Sequence, residues 1–259
     1  MYLPVPPQPD CATAWREAVR AVDAEPGHEA YNVIIDVADP TAGSTIAHPG
    51  VAAVDAFLAS CAKPIETVAN TIFPAALYYR HGAPEFFDVF NHRVLAKVRR
   101  GERWSGYYFE RMIDYPVSSG NSPNQLWNIV TRMGDRSVKA LNKYEISLFD
   151  PVRDVDNSPY GGQCLSFLSF KIVPSAPRKL ILTAQYRNHY YVEKLLGNII
   201  GLGRLMSFVA REAELEVGSL TIVSTHAKVD QPPRTNRGEI KTLLAQFDQA
   251  IAPVAPATV

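Results

Sequence analysis

The chain has 259 residues, 47% hydrophobic and 20% charged, the composition of an ordinary globular protein long enough to bury most of its apolar surface. Lysine plus arginine balances aspartate plus glutamate, 26 against 26, so no global field draws in nucleic acid or an acidic membrane. No apolar run approaches the roughly 20 residues of a membrane span, and Cys11, Cys61 and Cys164 form neither a metal spacing nor an even disulfide set, which points to a reducing cytoplasm.

The first ten residues carry four prolines and read as an extended arm, without the basic-then-apolar pattern of a secretory signal. Asp10 is placed to cap a helix running to about Asp23, with Trp15, Ala18 and Val19 on one face. Tyr31 to Val37 reads as a strand, since NVII is compact and β-branched. Val51 to Ala62 and Ile65 to Tyr79 read as helices, with Pro74 breaking or kinking the second. Glu85 to Val98 is a further helix, and Trp104 to Met112 is aromatic and fits either element. Ser122 to Met133 is helical, with Pro123 at its first position.

From Lys143 the pattern changes to strands separated by loops. Ser158 to Gly162 is a turn, after which Cys164 opens the strand CLSFLSFKIV. In KLILTAQYR, alternation puts Leu180, Leu182 and Ala184 on one face and Thr183, Gln185 and Arg187 on the other. The helix after Arg187 is apolar around most of its circumference, which implies burial on more than one side. Gly197, Gly201 and Gly203 carry a propensity cost there that implies close backbone approach. The strand GSLTIVSTHAKVD follows, and residues 252 to 259 read as a disordered tail. Helices followed by strands give one α+β domain over residues 1 to 259.

Cys164 has two readings, a buried small hydrophobe or a nucleophile activated by a nearby cation, for which Arg187 is the candidate. Arg187 is either a surface strand residue or a planar clamp for an anion. Asn198 is a polar amide inside GNIIGLG, costly unless paired. His226 and Lys228 form a solvated strand end or the rim of a site, and His189, Tyr190 and Tyr191 are assigned to the start of the helix. GNIIGLG does not match the dinucleotide fingerprint, and no Walker loop, His-Glu-x-x-His or Gly-x-Ser-x-Gly motif occurs. No metal is expected.

The order of these residues resembles the thymidylate synthase family over about Gln125 to Lys228. Phe149-Asp150-Pro151 stands where that family has Trp-Asn-Pro, and Cys164 falls on its nucleophile. Gln185-Tyr186-Arg187-Asn188 falls on Tyr-Gln-Arg-Ser, Asn198-Ile199 on Asn-Ile, and His226-Ala227-Lys228 on His-x-Tyr. The resemblance implies a thymidylate synthase-like fold, a central mixed or mostly antiparallel sheet flanked by helices. It also implies that the Cys164 thiolate adds to carbon 6 of a pyrimidine and makes carbon 5 nucleophilic toward a one-carbon unit. Arg187 would bind phosphate and lower the thiol pKa, and Asn188 would donate to the same anion. Asn198 would read the O4 and N3–H edge of uracil, with His226 and Lys228 near the sugar. The implied donor is 5,10-methylenetetrahydrofolate, the acceptor a pyrimidine nucleotide or nucleoside, and the assembly a homodimer.

Departures matter as much. Leu165 replaces a histidine, Ser169 a glutamine, Lys228 a tyrosine, Tyr190 a folate-binding aspartate, and Asn142-Lys143 a pair of phosphate arginines. Asn70-Thr71-Ile72-Phe73 is a remnant of Glu-Leu-Leu-Trp, and the amino-terminal phosphate loop and closing carboxyl-terminal segment have no match. The sequence therefore supports one-carbon transfer to carbon 5 by a divergent enzyme. The alternatives are a nucleotide-binding or structural protein that has lost catalysis, and a cysteine enzyme acting on another electrophile.

Overall fold

Asp10 starts the first helix as its side chain requires: Oδ1 accepts the N–H of Thr13 at 2.8 Å, satisfying a donor that the first turn leaves unpaired. The structure is a computed structural model describing residues 2–98, 106–117, 120, 122–155 and 162–252. Its helices are α1 (Cys11–Asp23), α2 (Pro49–Cys61), α3 (Ile65–Ile72), α4 (Ala75–His81), α5 (Glu85–Val89), α6 (Ala96–Val98), α7 (Tyr108–Ile113), α8 (Gln125–Gly134), α9 (Leu195–Glu212) and α10 (Arg237–Ile251). Its strands are β1 (Leu3–Pro4), β2 (Glu29–Val37), β3 (Tyr144–Ser147), β4 (Leu165–Val173), β5 (Lys179–Tyr186), β6 (His189–Tyr190) and β7 (Glu216–Lys228).

Several expectations hold with their physical reasons visible. Trp15, Ala18 and Val19 are fully buried, and the indole N–H of Trp15 donates to the Tyr191 carbonyl at 2.8 Å. The helix expected over Ile65 to Tyr79 breaks at Phe73-Pro74 into α3 and α4, because proline supplies no N–H to continue the ladder. Leu180, Leu182 and Ala184 are buried while Thr183 and Gln185 are exposed. A Cβ on Gly201 would meet the Ala69 carbonyl of α3 at 2.8 Å, and one on Gly203 would meet the Pro40 carbonyl at 2.0 Å. These glycines let α9 sit directly on its neighbours.

Others are corrected. The proline-rich arm is extended as expected, and what the sequence did not show is that it docks as an edge strand: β1 pairs in parallel with β2, and Val5 is buried. Proline is tolerated there because an edge position needs no further donor. The single helix expected over Glu85 to Val98 is interrupted by a π-helical segment, Phe90–Leu95. Pro123 lies outside α8, which Asn124 caps by accepting from Trp127 N at 2.8 Å. Cys164 stands one residue before β4 rather than within it. Helix α10, absent from the sequence reading, opens with a capping box between Asn236 and Glu239. The turn over Ser158 to Gly162 lies outside the described residues except for Gly162, as does the tail at 252 to 259 except for Ala252.

The strands form one seven-stranded mixed sheet in the order β1-β2-β7-β5-β4-β3, with β6 beside β7. Pairs β2/β7, β4/β5 and β3/β4 are antiparallel; β1/β2, β5/β7 and β6/β7 are parallel. Helices α1 and α9 pack on the face formed by Val33, Ile35, Leu182, Ala184 and Ile222, all buried. The opposite face carries Ile34, Val223, Gln185, Phe167 and Ser147 in register across five strands, none of them buried.

Candidate functional site

Antiparallel pairing of β4 with β5 brings the two ends that matter together. The register sets Leu165 opposite Tyr186, so Cys164 and Arg187 flank the same edge, and Arg187 N donates to the Cys164 carbonyl at 2.9 Å. Arg187 Nε donates to the Gln163 carbonyl at 3.0 Å, which holds the guanidinium beside the thiol. Tyr108 of α7 lines the cavity beside Cys164, with its hydroxyl close enough to the thiol to favour the thiolate. Burial pushes the Cys164 thiol above its ordinary value, while Arg187, then Lys194, then the Tyr108 hydrogen bond pull it back. The resting group is therefore a thiol, set among groups that favour the thiolate.

The thiol opens into a cavity of ≈350 Å³, walled among others by Tyr108, Cys164, Asn188, Asn198, Lys63 and Lys194. Arg187 stands beside Cys164 but does not wall the cavity. Asn198 comes from the end of the first turn of α9 and is only 3% exposed, so its amide must be paired. Its partner is His189: Asn198 Nδ2 lies 2.9 Å from His189 Nε2. The imidazole stacks on Tyr186 with ring centroids 3.9 Å apart at 12°, and its Nδ1 lies 3.0 Å from Ser224 Oγ. The Tyr191 hydroxyl reaches the same Oγ at 3.3 Å. Burial lowers the His189 pKa to about 3, so the ring is neutral. His189 and Tyr190 thus belong to β6, not to the start of α9, which corrects the sequence assignment.

Asn188 walls the cavity and accepts from His226 Nδ1 at 2.8 Å. His226 and Lys228 do not wall it themselves; His226 Nε2 and Lys228 Nζ each lie 3.6 Å from Glu29 Oε2. Of the six residues singled out in the sequence, the structure brings Cys164, Asn188 and Asn198 to one cavity with Arg187 behind the thiol. His226 attaches through Asn188, and Lys228 turns to Glu29. The sequence reading missed Tyr108, His189, Lys63 and Lys194. Tyr108 sat in an aromatic run that fits either element, and the contact of His189 with Asn198 depends on β6 joining β7.

Two further features surround the site. Arg111 donates from Nη1 to the Leu148 carbonyl at 3.1 Å and pairs bidentately with Asp154 at 3.1 and 2.9 Å. Asp154 Oδ2 also accepts from Asp150 N at 2.8 Å, which pins the loop holding Phe149-Asp150-Pro151. A neighbouring cavity of ≈410 Å³ shares Thr67, Thr71 and Tyr107 with the first and is lined by Asn70, Arg80 and Phe90. The Asn70 Oδ1 is enclosed without a hydrogen-bond partner among the described residues. Among the described residues no helix is long and apolar enough to cross a membrane, and no His, Cys, Asp and Glu cluster is arranged to hold a metal ion. No family model matches the chain, and no curated protein sequence matches it.

Proposed function

We propose that the protein is a thymidylate synthase-like enzyme that transfers a one-carbon unit to carbon 5 of a pyrimidine nucleotide or nucleoside through a covalent adduct at Cys164. The observation that carries this reading is the convergence of Cys164, Asn188 and Asn198 on one cavity from three separate stretches of chain, with Arg187 beside the thiol. In this reading the Cys164 sulfur bonds to carbon 6, and the electrons of the ring double bond move to carbon 5 and the neighbouring carbonyl. The Cys164 proton passes to solvent first, and Arg187, Lys194 and Tyr108 stabilise the thiolate; once carbon 5 has bonded to the one-carbon unit, loss of the carbon 5 proton breaks the bond between sulfur and carbon 6 and returns the thiolate to them. Asn198 holds the base edge; Lys63 and Lys194 supply the positive charge that the missing phosphate arginines would have carried.

The second cavity fits a flat heteroaromatic donor with an anionic tail. It has an aromatic wall at Phe90 and Tyr107, a cation at Arg80 and an unpartnered acceptor at Asn70. These residues would hold 5,10-methylenetetrahydrofolate, which supplies carbon at the methylene oxidation level when bound. The row Ile34, Val223, Gln185, Phe167 and Ser147, partly buried or exposed, supports a homodimer that stacks sheet on sheet. A cytoplasmic location belongs to the same proposal.

A second reading, a nucleotide-binding protein without catalysis, is favoured by one feature: Leu165, where the family has histidine, is fully buried, and burial keeps Cys164 protonated. Tritium release from carbon-5-labelled uridine and cytidine nucleotides, with and without methylene-tetrahydrofolate, separates the two. Release that vanishes in Cys164→Ser is expected. A folded protein that releases none from any nucleotide overturns the enzyme reading.

A further inference from the structure

We propose that His189 is a positioning residue that fixes which way the Asn198 amide faces, and thereby sets the cavity to take a ring edge offering an N–H beside a C=O, the imide edge of uracil, over the amino edge of cytosine. This rests on the pyrimidine reading above and adds a residue to it that borders the cavity and acts through Asn198.

An asparagine alone does not choose between these bases. Its oxygen and nitrogen are similar in size, and turning the amide over exchanges donor for acceptor. A buried neighbour that pairs with the amide couples its orientation to the tautomer of the imidazole. Asn198 Nδ2 can only donate, so at 2.9 Å it makes His189 Nε2 the acceptor. A neutral imidazole carries one proton, which then sits on Nδ1 and is donated to Ser224 Oγ at 3.0 Å.

One amide hydrogen is used against the wall. The other, together with Oδ1, is left for the cavity that Asn198 lines. The pair matches a carbonyl beside a ring N–H. Cytosine would set its unprotonated ring nitrogen against Oδ1 and its amino group against the N–H, two repulsive contacts.

The amide cannot turn over alone. Turning it would set Oδ1 against an unprotonated Nε2 unless the imidazole proton moved from Nδ1 to Nε2 and the Ser224 hydroxyl turned to donate to Nδ1, with Tyr191 donating to Ser224 Oγ in either arrangement. The ring is held while this is decided. Tyr186 stacks beneath it, Tyr191 meets it edge-on at 5.5 Å and 87°, and the side chain is 2% exposed.

Two measurements on the full chain test the proposal. Long-range proton–nitrogen spectra of the histidine-labelled protein should place the His189 proton on Nδ1. A proton on Nε2, or on both nitrogens, overturns the assignment. Calorimetric titration with 2′-deoxyuridine and 2′-deoxycytidine 5′-monophosphates should show that the uridine nucleotide binds tighter. His189→Phe, which keeps a stacking ring and removes the acceptor, should cut that preference roughly tenfold, and His189→Gln, whose amide can accept again, should restore part of it. An unchanged preference in folded His189→Phe overturns the proposal. If the wild type binds neither nucleotide, the pyrimidine reading fails, while the spectra still decide the role of His189.

Discussion

Replacing His189 by phenylalanine and Asp230 by asparagine should separate two opposing pH dependences that partly offset each other in the wild type. Burial holds His189 at about 3, against an ordinary 6.5. Burial also raises Asp230 from 3.8 to about 6, outweighing the N–H groups of Val192 and Glu193 that its carboxylate accepts at 2.8 and 3.3 Å. The signs follow from proton counting. Below pH 6.5 the unfolded chain takes up a proton at His189 that the folded chain refuses, so stability falls as pH falls. Between pH 7 and pH 5 that loss is about 2 kcal/mol. Asp230 works the other way, because below about pH 6 the folded chain binds a proton that the unfolded chain refuses until about 3.8. Its contribution is fully present below the unfolded value and is lost as pH rises through 6, a gain of about 1 kcal/mol on going from pH 7 to pH 5. Urea unfolding at both pH values, read as variant minus wild type, cancels the other carboxylates. His189→Phe should gain about 2 kcal/mol relative to wild type on acidification, and Asp230→Asn should lose about 1 kcal/mol. Differences that are independent of pH in both variants would refute the burial argument for these two groups.

Alkylation of Cys164 by iodoacetamide, followed across pH, should shift to higher pH in Arg187→Gln and less so in Tyr108→Phe, since both groups favour the thiolate. Asp154→Asn should cost about 3–5 kcal/mol in denaturant unfolding, because it leaves the Arg111 guanidinium buried opposite a neutral group. Gly203→Ala should lower the melting temperature sharply, its Cβ falling 2.0 Å from the Pro40 carbonyl. Gly134→Ala, whose nearest contact is 3.7 Å, should be neutral or stabilise by up to about 1 kcal/mol, and equal melting temperatures for the pair would contradict the packing account.

Local chemistry was legible wherever a side chain acts on its own neighbours. Asp10 announced its cap, Trp15 and Val19 their face, Pro74 its break, and Leu180, Leu182 and Ala184 their side of β5. Cys164, Arg187 and Asn198 were found through a resemblance of order, and two of the three wall the same cavity. What escaped depends on pairing between distant segments. The parallel docking of Leu3-Pro4 on β2 has no local signature, so the arm read as extended but its partner strand did not show. His189 reads as part of a helical start until β6 pairs with β7; only then does its ring reach both Asn198 and Ser224. Helix α10 was readable from Asn236 and Glu239 and was passed over.

The central claim is that Cys164 meets a pyrimidine ring in this cavity as a nucleophile. Intact-mass spectrometry after incubation with 5-fluoro-2′-deoxyuridine 5′-monophosphate, with and without methylene-tetrahydrofolate, tests it directly. The account predicts one nucleotide added per chain, mapped to the peptide carrying Cys164 and absent from Cys164→Ser. An unmodified chain, or an adduct on Cys61 that persists in Cys164→Ser, would contradict it.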